Sequence, residues 1–403
     1  MNPLLLKAFT ATSCIGRGIA PTLDSLIAQR SGLAPCDFEA VELDIHVGAV
    51  ERLDEETLPA ELSRFDCRNN RLAHLALRQD DFDLRVREAA GRLGARRIGV
   101  FLGTSTSGIL ETELAYRRRD PSSGALPAAF DYGATHNSFS VADFVRRRLG
   151  LEGPAAVVSC ACASSAKVFG TARRMIEAGV VDAALVGGVD SLCLTTLYGF
   201  HSLQLCSRLP CRPFDVERDG LSIGEAAAFA LIEPVQAGAG IRLDAASDDV
   251  LLLGIGESSD AYHMSAPHPE GHGARRAMQE ALASASLEPD AIDYINLHGT
   301  GTPSNDRAES QAVTSVFGAA VPCSSTKGAT GHALGAAGAL EAVISALALR
   351  HGLMPGGVNT VRVDPTLTAH YLRRNREARV TRVLSNSFGF GGTNCSLILG
   401  RAG

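Results

Sequence analysis

Short apolar runs alternate with amphipathic segments along most of the chain. The apolar runs predict buried strands at residues 98–102, 155–159, 183–187, 226–233 and 291–297, and residues 1–9 predict an earlier strand. Segments with helical periodicity lie between them, at residues 164–178, 273–285 and 336–351. Strands that alternate with helices in this way indicate an α/β fold of mainly parallel strands.

A small-residue stretch near the middle of the chain is the best candidate for a domain seam. Residues 234–241 read Pro-Val-Gln-Ala-Gly-Ala-Gly-Ile and lie between two strand-like runs. They divide the 403 residues, which are enough to bury a large core, into halves at 1–235 and 236–403. Each half carries a reactive segment of small residues, which favours an internal duplication although no repeated sequence is visible.

Composition and charge exclude several classes of protein. No stretch approaches the roughly 18 uninterrupted apolar residues of a membrane span, and residues 1–9 lack the basic segment of a signal peptide. We therefore expect a soluble, cytoplasmic protein with no membrane partner. The formal net charge of −6 argues against a broad contact with nucleic acid, despite local arginine clusters at residues 64–71, 117–119 and 146–148.

The ten cysteines of this long chain do not form a disulfide pattern and are expected to be reduced. Cys160 and Cys162 resemble a metal-binding pair. Alternate residues on a strand point to opposite faces, however, and no cysteine or histidine pair at zinc spacing accompanies them. The sequence therefore predicts no metal site.

Cys162 is the candidate nucleophile. An apolar run ends at Ser159, so Cys162 is predicted at the start of the following helix, where backbone N–H groups and the helix dipole stabilise a thiolate. Cys160 is the competing thiol, and we expect it to be less accessible because it lies nearer the strand. The alternative interpretation of Cys162 is a buried structural cysteine.

Two histidines and a lysine follow predicted strands in the second half of the chain. His298 opens the segment His-Gly-Thr-Gly-Thr-Pro, and Lys327 and His332 bound the segment Lys-Gly-Ala-Thr-Gly-His. Imidazoles in such bends can stabilise negative charge that develops on a thioester carbonyl. Lys327 is expected to set the local charge, with Glu309 as a buried partner; the alternative is a purely structural ion pair.

A glycine-rich turn near the end of the chain carries two aromatic rings. Phe388 and Phe390 lie in the segment Asn386-Ser-Phe-Gly-Phe-Gly-Gly-Thr-Asn394. Glycine lets this backbone approach a ligand, and one of its N–H groups could complete an oxyanion hole with the N–H of Cys162. The turn lacks the strand–GxGxxG–helix context, and no GxxxxGK[ST] motif occurs, so no nucleotide cofactor is expected.

Together these segments resemble the β-ketoacyl-acyl carrier protein synthases, the decarboxylating condensing enzymes of fatty-acid and polyketide synthesis. The resemblance also covers Arg212-Pro-Phe-Asp215, Arg218-Asp-Gly220 and Gly224-Glu225, and it runs over almost the whole chain. It implies a thiolase-like fold, a five-layer αβαβα sandwich of two related halves, usually assembled as a homodimer, with a heterodimer of related subunits as the alternative. It implies an acyl carrier protein as the partner and no cofactor beyond the carrier's phosphopantetheine arm.

The resemblance also assigns roles to residues. Cys162 matches the nucleophile, and His298 and His332 match the pair that promotes malonyl decarboxylation. Lys327 and Glu309 match the supporting charged residues. The remaining matches are the gate and oxyanion-hole residues Phe388 and Phe390 and the pantetheine-binding residues Thr300 and Thr302. The basic side chains of Arg64, Arg68, Arg71 and Arg208 are separate candidates for docking an acidic carrier protein.

Two segments depart from the housekeeping enzymes of that family. Residues 103–110, near the acyl pocket in the family, are more polar, and with residues 191–199 they are similar to synthases of aryl-polyene pigment clusters. Two other functions remain open: a non-catalytic chain-length partner of a heterodimeric synthase, and a thiolase-like enzyme acting on coenzyme A esters. Cys162 argues against the first, and the pair of histidines with Lys327 argues against the second.

Overall fold

In the computed structural model, which describes residues 1–235 and 249–401, most strands join one large mixed sheet. The strands are β1 (Leu4–Ser13), β2 (Gly16–Arg17), β3 (Ala34–Pro35), β4 (His46–Gly48), β5 (Ile98–Gly103), β6 (Ala155–Val158), β7 (Ala183–Asp190), β8 (Ile223–Gly224), β9 (Ala226–Pro234), β10 (Val250–Ser259), β11 (Tyr294–Asn296), β12 (Pro322–Ser324), β13 (Leu353–Met354), β14 (His370–Tyr371), β15 (Arg376–Glu377), β16 (Arg382–Gly389) and β17 (Thr393–Arg401). The helices are α1 (Ile19–Ile27), α2 (Arg68–Leu77), α3 (Phe82–Leu93), α4 (Ile109–Arg117), α5 (Ser140–Leu149), α6 (Ser164–Glu177), α7 (Leu194–Ser202), α8 (His272–Ala285), α9 (Pro303–Phe317), α10 (Lys327–Thr330) and α11 (Ala337–His351).

The predicted strands and helices are present, with one strand shorter than expected. The prediction of mainly parallel strands is wrong, because β1, β9, β10 and β17 pair antiparallel with their neighbours and the sheet is mixed. The strand predicted at residues 291–297 is only Tyr294–Asn296, because Pro289 opens a short 3-10 turn that extends through Ala291. The seam predicted at residues 234–241 lies largely outside the described residues.

The large sheet repeats one strand topology twice. The first half has the order β1-β9-β7-β5-β6, and the second has β10-β17-β16-β11-β12 with β14 added at its edge. In each half the first strand along the chain lies antiparallel to the last, while the three strands at the other end are parallel. Antiparallel pairing of Leu4 and Leu6 on β1 with Leu252 and Val250 on β10 joins the halves.

Helices cover both faces of each half. Helices α6 and α11 share the central core with strands of both halves, α2, α3 and α5 cover the outer face of the first half, and α8 and α9 cover that of the second. Alternate residues of β7 separate accordingly: Ala184 and Val186 face the centre, and Ala183 and Leu185 face outward. The layers are therefore αβαβα, as the resemblance implies.

Among residues 1–235 and 249–401, one helical stretch, Leu334–His351, is long and apolar enough by composition to cross a membrane. It ends with α11, and 89% of it is buried inside the protein. Its apolar character is therefore explained by its place in the central layer of the fold.

The carboxyl ends of three strands, each of which pairs parallel to a neighbour, position the candidate site. The loop after β6 carries Cys162, the loop after β11 carries His298, and α10 begins with Lys327 just after β12. His332 follows α10 after one residue, Gly331. Parallel strands present their carboxyl ends at one edge, so the two halves bring these loops together.

Candidate active site

The turn between β6 and α6 fixes Cys162. Ala161 adopts a left-handed φ of 55°, and Ser164 Oγ braces the bend by accepting from the Cys160 N–H (2.9 Å) and donating to the Ala161 carbonyl (2.5 Å). The end of β5 packs tightly here, because a Cβ on Gly103 would lie 2.3 Å from the Ser165 nitrogen. This local structure holds the Cys162 thiol in one position.

Two imidazoles lie next to that thiol. His332 Nε2 is 3.0 Å from Cys162 Sγ, and the rings of His298 and His332 meet edge to face with centroids 5.2 Å apart. Burial raises the pKa of the Cys162 thiol to about 11, although a hydrogen bond from the Phe390 N–H and the charge of Lys327 oppose the shift. The helix terminus therefore does not produce the stable thiolate expected from the sequence.

Cys160 differs from its predicted environment. Its side chain is half-buried, whereas Cys162 is only 5% exposed, so the relative accessibility expected from the sequence is wrong. The reason is that β6 is an edge strand, while His332 and the glycine-rich turn cover Cys162. Among the described residues, Cys160 makes no hydrogen bond to the imidazole of His298 or of His332.

Lys327 is buried between an acid and an imidazole. Its ammonium pairs with Glu341 on α11, donates to the His298 carbonyl (2.6 Å) and lies 3.4 Å from His298 Nδ1. Burial, the Lys327 charge and His332 lower the pKa of His298 well below its usual range. Burial raises the pKa of Glu341 to about 7, and Lys327 opposes that shift.

Glu309 is not the partner of Lys327, which corrects the sequence-based expectation. Its two oxygens accept the N–H groups of His298 (2.8 Å) and Gly299 (2.7 Å), and Asn386 Nδ2 adds a third bond (3.1 Å). Burial raises its pKa to about 7. Glu309 therefore holds the backbone of the His298 loop, because α9 directs it to that loop rather than to Lys327.

Cys162, His298 and His332 line one cavity that opens to solvent, whereas Lys327 and Glu309 lie outside its lining. Its lining includes Thr300 and Thr302, whose hydroxyl groups are 2.9 Å apart, and both Phe388 and Phe390. Phe390 stacks on Phe200 of α7 with ring centroids 5.5 Å apart. Gly389 brings the turn against the thiol segment, because a Cβ there would lie 3.1 Å from the Cys160 carbonyl oxygen.

Asp190, at the end of β7, is a site residue that sequence reasoning missed. Its buried carboxylate accepts from the Thr104 hydroxyl (2.7 Å), from Ser105 and Thr106, and from the Gly335 N–H (2.5 Å). Burial raises its pKa, and these hydrogen bonds oppose the shift. Asp190 thus ties the polar loop after β5 to the loop after His332. The sequence signal that could have identified Asp190 is an acidic residue at the end of an otherwise apolar strand.

The candidate docking arginines do not share one environment. Arg68 is buried and makes two hydrogen bonds to Glu225 (2.9 and 2.7 Å) and one to Asp54, so its predicted role in docking is wrong. Arg71 forms a bidentate ion pair with Asp66, and the exposed side chain of Arg64 pairs with Asp131. The exposed residues Arg208, Arg117 and Arg119 form no ion pair with any described residue.

Within the described parts of the chain, two groups of side chains are close enough to share a metal ion. One is Cys162 with His298 and His332, and the other is His268 with Glu270 and His272. The first group is the thiol–imidazole cluster of the cavity. The second lies at the end of the loop that precedes α8 and on the first residue of that helix.

A thiol and two imidazoles line one cavity of this five-layer αβαβα fold, and the Lys327 ammonium lies 3.4 Å from His298 Nδ1. These groups fit an acyl-transferring condensing enzyme. Comparison with known proteins agrees. The N-terminal domain of the β-ketoacyl synthases matches residues 11–237, and their C-terminal domain matches residues 250–361. The chain belongs to the β-ketoacyl synthase family and has its thiolase-like fold.

Individual relatives cover nearly the whole chain. A 3-oxoacyl-[acyl-carrier-protein] synthase 2 from Coxiella burnetii is 32% identical over 99% of this chain and 98% of its own length. The ketosynthase (ApeO) in complex with its chain length factor (ApeC) from Xenorhabdus doucetiae superposes with a TM-score of 0.87, at 37% identity over 99% of this chain and 98% of the matched one. The ishigamide ketosynthase/chain length factor also gives 0.87, at 29% identity and complete coverage of both chains.

Proposed function

We propose that this enzyme is a β-ketoacyl-acyl carrier protein synthase that extends an acyl chain by decarboxylative condensation. The observation that carries the proposal is the 3.0 Å contact of the Cys162 thiol with His332 in a cavity shared with His298, whose Nδ1 lies 3.4 Å from the Lys327 ammonium. The Cys162 sulfur attacks the acyl thioester, and the phosphopantetheine thiol of the carrier leaves with the proton of the Cys162 thiol. Malonyl carrier then loses CO₂, and its carbanion attacks the acyl-cysteine carbonyl and releases the Cys162 thiolate, which takes up a proton from solvent.

The two histidines act on the malonyl step. Both have a pKa well below the usual range, through burial first and then the charge of Lys327, so both are neutral and can donate a single N–H. Lys327 donates towards Nδ1 of His298, which leaves the proton of that imidazole on Nε2. A neutral N–H donor stabilises the enolate oxygen formed as CO₂ departs. The reaction requires no redox or nucleotide cofactor.

The remaining cavity residues bind and gate the substrate. In our proposal the N–H groups of Cys162 and Phe390 form the oxyanion hole, and the hydroxyl groups of Thr300 and Thr302 bind the pantetheine arm. Phe388 and Phe390 gate the cavity, supported by the stacking of Phe390 on Phe200. Glu309 keeps the His298 loop in place through its two backbone hydrogen bonds.

An acidic acyl carrier protein would dock on the exposed arginines. Arg208 and Arg64 remain candidates from the sequence, with Arg71 weakened by its pairing to Asp66. Arg117 and Arg119 become stronger candidates, because they are exposed and form no ion pair with described residues. We further propose a cytoplasmic enzyme whose two halves are residues 1–235 and 236–403.

A specific observation favours a heterodimer over a homodimer. Two of the similar structures are ketosynthases with a chain length factor, and one is 37% identical to this chain. The edge strand β6 has one free side in the large sheet, where a related subunit could add its own strand. Cys162 makes this chain the catalytic member of such a pair. The sequence similarity of residues 191–199 supports an aryl-polyene pathway.

Intact mass spectrometry tests the reaction directly. The enzyme is exposed to a panel of acyl carrier thioesters and then to malonyl carrier, alone and with a co-expressed partner subunit. We expect an adduct at Cys162 that disappears when malonyl carrier is added, and the preferred acyl group identifies the pathway. The Cys162→Ala variant forms no adduct, and His298→Ala acylates but discharges slowly. Full condensing activity in Cys162→Ala would contradict the proposal.

A further inference from the structure

The loop between β10 and α8, residues 260–271, is here named the entry loop. Its residues Ser265, Ala266 and Pro267 line the cavity that contains Cys162. Three metal-ligand side chains follow, with His268 and Glu270 at the end of the loop and His272 as the first residue of α8. None of the three takes part in the proposed condensation.

The geometry of these three side chains is that of a loosely assembled ligand set. One donor atom from each lies within 4.8 Å of the other two. Glu270 Oε2 is 2.7 Å from His272 Nε2, and the rings of His268 and His272 stack with centroids 4.0 Å apart. His268 Nδ1 accepts the Glu270 N–H at 3.2 Å, a hydrogen bond that a metal ion on that nitrogen would replace.

The donor set selects the class of ion. Two imidazoles and one carboxylate suit Zn²⁺ and its transition-metal neighbours, while Mg²⁺ and Ca²⁺ prefer oxygen ligands alone. Metal–ligand distances of about 2.0–2.2 Å require the donor atoms to approach one another further. Glu270 and His272 are exposed and can rotate to do so, and Glu270 supplies a negative charge to offset the positive end of α8.

A simple ion pair between Glu270 and His272 does not account for the whole cluster. Such an exposed pair contributes little to stability and needs only two groups. The third group, His268, stacks directly on His272 instead of facing solvent alone, and its backbone N–H is fixed by Asp260 Oδ2 at 3.0 Å. The loop therefore delivers a second imidazole to the same place.

We propose that His268, Glu270 and His272 bind a divalent transition-metal ion of the Zn²⁺ class. The bound ion would tie the entry loop to α8 and restrict the wall of the cavity that Ser265–Pro267 form. The sequence predicts no metal site, because His268, Glu270 and His272 belong to no zinc spacing motif. The inference goes beyond the proposed function, and the binding test does not depend on it.

Zn²⁺ titration of the Cys162→Ala protein tests the proposal. That background removes the thiol of the second metal-type cluster, Cys162 with His298 and His332. We expect one Zn²⁺ per chain by calorimetry, and slower amide hydrogen exchange in residues 260–271 when Zn²⁺ is bound. His272→Ala and His268→Ala should each weaken binding by about tenfold or more, since even loss of an outer-shell partner costs about that much.

His263→Ala is the matched control, because His263 is an exposed histidine of the same loop outside the cluster. It should bind Zn²⁺ as the Cys162→Ala parent does. The proposal would be overturned if His263→Ala weakened Zn²⁺ binding as much as His272→Ala does. It would also be overturned if the Cys162→Ala parent bound no Zn²⁺, or bound it in a way that His272→Ala does not weaken. Zn²⁺ binding that is seen with Cys162 intact, disappears in Cys162→Ala and persists in His272→Ala would assign the ion to the cluster of Cys162, His298 and His332. That result would also overturn the proposal.

Discussion

His332 Nε2 lies 3.0 Å from Cys162 Sγ, and both side chains are buried at the bottom of the cavity. Despite this contact, the pKa of the thiol is raised to about 11, so the free enzyme holds it protonated at neutral pH. We predict that the rate of Cys162 alkylation by iodoacetamide rises about tenfold per pH unit until the pH approaches 11. Peptide mass mapping at each pH measures the rate at this residue.

The Cys160→Ala variant is the control for the alkylation profile. It removes the half-buried thiol two residues away, so that every adduct on the peptide belongs to Cys162. The profile should be unchanged in this variant. A rate that levels off near neutral pH would show instead that Cys162 and His332 form a thiolate–imidazolium pair before substrate arrives.

The buried pair of Lys327 with Glu341 carries a second prediction. Lys327→Met leaves the Glu341 carboxylate without its cation, so we expect the free energy of unfolding to fall by about 3–5 kcal/mol. The double variant Lys327→Met/Glu341→Gln removes both charges and should recover most of that loss. Urea unfolding measures both, and a double variant no more stable than Lys327→Met would contradict the pairing.

Decarboxylation of malonyl carrier should separate stability from chemistry in the same variants. Both lack the ammonium that lies 3.4 Å from His298 Nδ1, so both should release CO₂ much more slowly than the parent enzyme. Recovery of stability without recovery of CO₂ release is the expected outcome for the double variant.

The sequence predicts the fold and the members of the cavity better than it predicts their partners. Continuous apolar runs indicate strands, and Cys162 and His298 follow such strands in segments of small residues. The strand before Lys327, β12, carries no such run and was not predicted. The partner of Lys327 depends on how α11 packs between the halves, which no local pattern reveals. Glu341 was nevertheless conspicuous as the only acid within α11.

The arginines show the same limit. Arg64, Arg68 and Arg71 look alike in a polar segment, and only the packing of α2 buries Arg68 against Glu225. We predict that Arg68→Met lowers the free energy of unfolding by about 3–5 kcal/mol, because Glu225 is left unpaired, with no change in KM for acyl carrier.

In contrast to Arg68→Met, Arg208→Glu should change the binding of acyl carrier and not the stability of the fold. Arg208 is exposed and pairs with no described acid, so its substitution should change stability by less than about 0.5 kcal/mol. The KM for acyl carrier should rise, and the rise should shrink at high ionic strength as salt screens the contact. Steady-state kinetics at two salt concentrations check this, and a KM for the carrier equal to that of the parent would remove Arg208 from the docking surface.

Variants of Asp190 can test whether this residue positions the loop of His332, separately from its contribution to the stability of the fold. Its Oδ1 accepts from Thr104, Ser105 and Thr106, while its Oδ2 accepts the Gly335 N–H at 2.5 Å and also the Ser105 N–H at 3.0 Å. Asp190→Asn can keep an oxygen at the first position but places an NH₂ group against the Gly335 N–H. Asp190→Ala removes both acceptors and should cost more than about 3 kcal/mol of unfolding free energy.

We therefore predict that Asp190→Asn keeps most of the stability yet slows malonyl decarboxylation, because the loop that carries His332 loses its anchor. Urea unfolding and CO₂ release on both variants provide the comparison. The Asn variant is the informative one, since its donor–donor contacts are with the N–H groups of Gly335 and Ser105, and the Ser105 N–H keeps its other acceptor at Oδ1. If it released CO₂ at the parent rate, Asp190 would serve only the loop after β5, and the position of His332 would have to depend on α10 and the backbone bond of its N–H to the Ser222 carbonyl.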